Sequence, residues 1–170
     1  MKAFVLLLTL LFLPAVAAGE PQPPRGWRYP QESDYLGNWK EFRKDLPVPF
    51  HIRGDFNGDK IIDDAWILIR TDDVGWGLFV FLSQGAGKVR TIRLDNHPKD
   101  ANPQTMGLGL VQKGEQKTAC GKGYWECKRG EPAVLRLKNA GIEYFVYESS
   151  SSIFYWNHSA NKFKRVAITD

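Results

Sequence analysis

Residues 50–83 read FHIRGDFNGDKIIDDAWILIRTDDVGWGLFVFLS, and their grammar is that of paired strands. DAWILIRT (64–71) and GWGLFVFLSQ (75–84) are short runs rich in Val, Ile, Thr and aromatic residues, parted by the turn-forming DDVG. Composition and length together select β-strands. The pattern continues through KVRTIRLD (88–95), MGLGLVQK (106–113), AVLRLK (133–138), GIEYFVYES (141–149), SIFYWN (152–157) and FKRVAIT (163–169), with QGAG, NHPKDANP, NAG and NHSAN as breaks. Short strands joined by tight turns imply a mainly β fold, an antiparallel meander forming a curled sheet or small barrel. There is no βαβ alternation and no phosphate-cradling glycine motif, which argues against a parallel nucleotide-binding sheet.

Upstream of the strands the chain changes character three times. Lys2 followed by FVLLLTLLFLPAVAA (4–18) has the charged start, apolar centre and small-residue close of a signal peptide, expected over residues 1–18. Its apolar run is short of the roughly 20 residues that a membrane span needs. No Cys lies there to carry a lipid, so no membrane anchor is expected after cleavage, and the location expected is periplasmic or secreted. Residues 19–30, GEPQPPRGWRYP, form a Pro-rich leader expected to run extended over the surface. QESDYLGNWKEFRKDLP (31–47) sets Tyr35, Leu36, Trp39 and Phe42 at helical spacing, with Ser33 as N-cap and Pro47 as stop. One short N-terminal helix is expected there, within a single mostly β domain spanning residues 31–170.

The formal net charge is +4, and removal of Lys2 lowers it by one. The densest basic groups, RKDLP, KVRTIR and KFKR, are scattered along the chain. A nucleic-acid reader concentrates such charge on one face, so a solvated surface is the expectation and no nucleic-acid partner is assigned.

The acidic stretch inside the opening segment is the first candidate site. Counting from Asp55, oxygen side chains fall at positions one (Asp55), three (Asn57), five (Asp59) and nine (Asp63), with the Ile61 carbonyl at seven. A hard cation such as Ca²⁺ asks for this set in a tight loop. The alternation would also turn Phe56 and Ile62 against the domain. A competing reading makes Asn57-Gly58 a two-residue type I′ hairpin turn between HIRGDF and DKIIDD. The charge excess of Asp55, Asp59, Asp63 and Asp64 over Lys60 favours the cation, because like charges this close repel.

GDFNGDKIIDDAWIL (54–68) resembles the D-x-N-G-D-G-x-x-D calcium loop of FG-GAP (VCBS-type) repeats, and its first nine positions resemble EF-hand and dockerin loops. The resemblance implies that Asp55, Asn57, Asp59 and Asp63 are side-chain ligands of a weak, structural Ca²⁺ and that Ile61 is a carbonyl ligand. Two positions depart from those patterns. Lys60 stands where Gly is usual, and Trp66 stands where an EF-hand carries its bidentate Glu, which excludes an EF-hand proper. The order of signal peptide, aromatic helix, GDFNGD, TACGKGYWEC (118–127) and SSIFYWNHSANKFKRV (151–166) also resembles a group of small exported bacterial proteins.

Cys120 and Cys127 are the only cysteines. In an oxidising compartment so close a pair is most simply a disulfide, worth about 2.5 kcal/mol in the chain-entropy model. Tyr124 and Trp125 sit at the tip of that loop and form the candidate binding surface, since rigidly held aromatics grip sugars, peptides and proteins. Of the adjacent Tyr155 and Trp156, one is expected to fold back on the sheet. His51, His97 and His158 lie in unrelated contexts, and neither G-x-S-x-G nor H-E-x-x-H occurs. No catalytic residue is therefore assigned. The expectation is an exported, non-enzymatic binding domain for a protein, peptide or glycan of the cell envelope. An inhibitor of a secreted or periplasmic enzyme is the alternative, and an envelope-directed hydrolase the next. A carboxylate within reach of His51 or His97 in a pocket would favour the hydrolase.

Overall fold

A computed structural model of the chain describes residues 20–100 and 102–170. The signal peptide expected at 1–18 lies outside them. The strands, in chain order, are β1 (Trp27–Arg28), β2 (His51–Gly54), β3 (Asp63–Arg70), β4 (Trp76–Ser83), β5 (Val89–His97), β6 (Met106–Val111), β7 (Gly114–Lys117), β8 (Val134–Leu137), β9 (Gly141–Val146), β10 (Ser151–Asn157) and β11 (Lys162–Ala167), with one α-helix, α1 (Gly37–Glu41). Every pairing is antiparallel. The mainly β expectation holds, in its open form, because the strands make two curled sheets and a ribbon rather than a closed barrel. The first sheet runs β1-β3-β4-β5 with β2 on β3, the second runs β11-β10-β9-β6, and β7 pairs β8.

The continuous apolar runs of β3 and β4 are explained by cover on both faces, which leaves no solvent side to alternate with. Trp66 and Phe79 are cross-strand partners on one face. They are covered by the leader, with Trp27 at 4.7 Å from Phe79 and Tyr29 at 4.4 Å from Trp66, centroid to centroid. Ile67, Leu78 and Val80 occupy the other face and share a buried core with Leu108, Ile142, Tyr144 and Phe154 of the second sheet. The leader turns once at Arg25–Gly26, with Trp27 N donating to Pro24 O at 3.0 Å, and beyond that turn it forms an outer layer of the fold. Its residues Trp27 and Arg28 pair with Arg70 and Ile69 of β3.

The helix starts later than Ser33. Ser33 sits inside a 3-10 turn (Glu32–Asp34), and α1 begins at Gly37 with Leu36 as its extended N-cap. Asp34 is the reason. Its carboxylate accepts both terminal nitrogens of Arg28, at 2.7 and 3.0 Å, and the Gln31 N–H at 2.6 Å. That commits the segment to pinning the leader, and Gly37 at φ +49° turns the chain into the helix afterwards. The aromatic stripe is consequently broken. Trp39 is fully buried and donates its indole N–H to Met106 O at 2.7 Å, whereas Leu36 is exposed.

A backbone hydrogen bond ties the two sheets together on one side. Leu108 N of β6 donates to Pro49 O, just ahead of β2, at 2.8 Å. On the opposite side β5 ends the first sheet and β11 ends the second.

Candidate functional site

The eight residues between β2 and β3 form a closed loop, and the two-residue Asn57-Gly58 turn is not made. Register runs from His51↔Trp66 to Gly54↔Asp63 and stops there. Gly58 and Lys60 carry the positive backbone angles, φ +83° and +70°, while Asn57 does not. Lys60 therefore adopts the left-handed conformation for which the resembled loops use Gly, at a cost of about 1–2 kcal/mol. Gly58 is required on two counts, since a Cβ there would also lie 2.9 Å from Asn139 Oδ1.

The loop is held by its own acids. Asp55 accepts the N–H groups of Gly58 and Lys60 at 2.7 and 3.0 Å, and Asp59 accepts that of Ile61 at 2.8 Å. Asn57 accepts from Asp59 N at 3.0 Å and donates its amide to Asp59 Oδ2 at 2.8 Å. Phe56 turns inward and is fully buried, as the alternation implies, but Ile62 is 49% exposed and does not pack on the domain. From outside, the Asn139 amide donates to Phe56 O at 2.6 Å, and His158 Nε2 lies 3.0 Å from Asn139 Oδ1. That clasp joins the loop to the turns flanking β9 and β11.

Asp63 differs from the other three acids because it is fully buried. Its two oxygens accept Phe56 N at 3.0 Å and Ser83 N at 2.9 Å, tying the loop to the end of β4. Desolvation outweighs those two hydrogen bonds and, with smaller contributions from Asp59 and Asp55, pushes its pKa up to about 6. The folded value lies above the unfolded one. The stability that protonation brings is therefore complete below pH 3.8 and lost as pH rises through about 6. A carbon-detected NMR titration is expected to place the Asp63 midpoint near 6; an ordinary value of about 4 would show that its burial carries no charge penalty.

The sequence-level charge excess is smaller in the fold. Asp64 lies 3.3 Å from Arg53 Nε and 2.7 Å from His51 Nε2, and burial works against ionisation of Asp63. For a cation, the loop offers the oxygens of Asp55, Asn57 and Asp59, each already accepting an N–H yet keeping further lone pairs. Among the described residues no group of three or more His, Cys, Asp or Glu converges as a metal cage.

Comparisons with family models, curated proteins and solved structures return no match. Among the described residues no helix is long and apolar enough to cross a membrane.

The disulfide Cys120–Cys127 is formed, and among the described residues no cysteine is free. Its two aromatics part company. Tyr124 is 53% exposed, whereas Trp125 is half-buried and donates its indole N–H to both Glu131 oxygens, at 3.2 and 3.3 Å. Lys122 Nζ donates to Ile168 O at 2.9 Å, anchoring the loop to the C-terminal segment. Tyr155 and Trp156 are both half-buried, and Trp156 packs on Phe163 at 5.1 Å.

Two histidines are paired in ways the sequence reading missed. His51 stacks on Trp66 at 3.7 Å as well as meeting Asp64. His97 stacks on Trp76 at 3.9 Å, with Asp95 Oδ2 at 3.3 Å and Tyr144 Oη at 3.4 Å. Asp64 also lines a cleft of about 800 Å³ with Arg53, Ile61, Ile62, Phe81 and the leader's Glu20–Gln22. The His51–Asp64 contact follows from the β2–β3 register, so a correct loop length would have revealed it. Among the described residues no Ser, Thr or Cys is hydrogen-bonded to any of these histidines, so the pairs lack an adjacent nucleophile.

Proposed function

We propose that the chain is an exported, non-enzymatic binding domain that meets an envelope protein, peptide or glycan through the disulfide loop. The observation carrying this is the exposed Tyr124 ring on a backbone pinned by the disulfide, Trp125–Glu131 and Lys122–Ile168. Prior rigidity reduces the entropy lost on binding, so a held aromatic grips better than a mobile one. An inhibitor of a secreted or periplasmic enzyme is the special case in which this loop enters a partner's cleft. Capture from envelope extract and on a glycan array is expected to weaken about tenfold or more for Tyr124→Ala. Unchanged capture would remove this loop as the contact.

The acidic loop serves as a clip for the entry to β3, with Ca²⁺ as a weak occupant at about 10⁻⁴–10⁻³ M. Millimolar Ca²⁺ then raises the melting temperature, EDTA lowers it, and Asp59→Ala abolishes the difference. The ion also lowers the Asp63 midpoint, because it favours the carboxylate. Identical melting curves and midpoints in the two additives rule the ion out.

A second reading, an envelope-directed hydrolase, is favoured by one observation, the 2.7 Å contact of His51 with the cleft-lining Asp64. Such a pair can activate water without a protein nucleophile. Hydrolysis of envelope material that is lost in His51→Asn would support it, and its absence from wild type would end it.

A further inference from the structure

We propose that the gap between β5 and β11 docks an extended acidic peptide, which adds a strand to the free edge of β5. The two sheets are joined at β6 and the Pro49 segment, and on the far side β5 and β11 are edge strands that side chains bridge, Arg165 to Asp95 among them. Between those strands lies a groove of about 250 Å³, lined by Arg90, Arg93 and Lys162 with Ile92, Phe154 and Phe163 among its apolar walls. Its cations come from KVRTIR and KFKR, basic groups far apart in the chain that folding brings to one place.

The charge there is free to act on a ligand. Among the described residues Arg90, Arg93 and Lys162 have no carboxylate partner. Arg165 is the exception, and its role is structural. It bridges to Asp95 of β5 at 3.6 Å, donates to Ser152 Oγ at 2.8 Å and lies over the Phe154 ring at 5.3 Å.

β5 is nine residues long and pairs only with β4. Alternate N–H and C=O groups along its outer side therefore have no ladder partner, which is a template for strand addition. Basic side chains on such an edge repel a second copy of the same strand. The same charges attract an acidic strand, so a partner peptide of opposite sign is favoured over self-pairing. Side chains alternate along an added strand. One set would enter the groove beside Ile92, Phe154 and Phe163, and the acids of the other set would meet Arg93, which lies on the opposite face of β5 from Ile92. The preferred segment therefore alternates apolar and acidic residues.

This surface rests on the same binding-domain reading but lies on a different element from Tyr124, so the two are separable. The probe is a fluorescein-labelled peptide of alternating Glu and Val, roughly ten residues long to match a long strand, followed by anisotropy. Saturable binding is expected. It should weaken about tenfold or more for the double variant Arg90→Glu/Arg93→Glu, for Lys-for-Glu peptide, and for peptide N-methylated at alternate amides. High salt should weaken it too, and Tyr124→Ala should leave it unchanged. Melting curves of the double variant matching wild type show that it folds; should it not, Lys162→Glu and the N-methylated peptide give independent answers. No saturable binding, equal binding of the N-methylated peptide, or tighter binding of dextran sulfate than of the peptide each overturns strand addition.

Discussion

Phe56→Ala is expected to destabilise the domain by about 3–5 kcal/mol, the range for deleting a fully buried aromatic side chain. Phe56 is the one apolar residue of the acidic loop that reaches the core, and it is completely enclosed there. Its backbone is held from two directions, Asp63 accepting its N–H and Asn139 donating to its carbonyl. Those hydrogen bonds prevent the loop from collapsing into the space the ring would leave, so relaxation recovers little. Urea unfolding followed by circular dichroism reads the change as a shift of midpoint at constant slope. Ile62→Ala is the control, since its exposed side chain keeps the change within about 0.5 kcal/mol. Equal effects of the two substitutions would show that the loop is not anchored through Phe56.

Trp39→Ala should cost a similar amount, about 3–5 kcal/mol, through a different route. The helix α1 has five residues, and isolated helices shorter than about 12 residues are marginal in water. Its stability is therefore tertiary, and Trp39 supplies it by packing at a tilt on Phe50, 5.0 Å between centroids, and donating to Met106 O. Removing the indole leaves a cavity between α1 and β6 and takes a donor from a buried carbonyl. Trp39→Phe keeps a six-membered ring and loses the hydrogen bond, at about 1–3 kcal/mol, together with the volume of the pyrrole ring, so it should cost less than Trp39→Ala. If Trp39→Ala unfolds at the wild-type urea midpoint, the helix is not held by this residue.

The strands were readable where local composition decides the matter. β3, β4, β5 and β10 fall within one or two residues of their expected runs, and β9 ends three residues short of its own. β7 was missed because Gly114–Lys117 is polar and its strand exists only through pairing with β8. β1 was missed for a related reason. Two residues in a Pro-rich leader carry no periodicity, and their conformation is set by the edge of β3. In the acidic stretch the residue types announced a polar loop, and its inward Phe56 followed from alternation. Chain order could not show that Asp63 is buried away from water, and Asp64 gains His51 as a neighbour only once the length of the β2–β3 loop sets the register.

The sequence by itself determined the mainly antiparallel β class, the disulfide and the position of the acidic loop, because each depends on residues close together in the chain. Only the tertiary structure decided what faces what. It laid the leader over Trp66 and Phe79, latched Trp125 while leaving Tyr124 in solvent, and gathered Arg90, Arg93 and Lys162 at one open edge. Those arrangements follow from how two sheets bury a shared core. Contacts between residues distant in the chain contribute nothing to local propensity, yet they determine which surfaces remain free to bind.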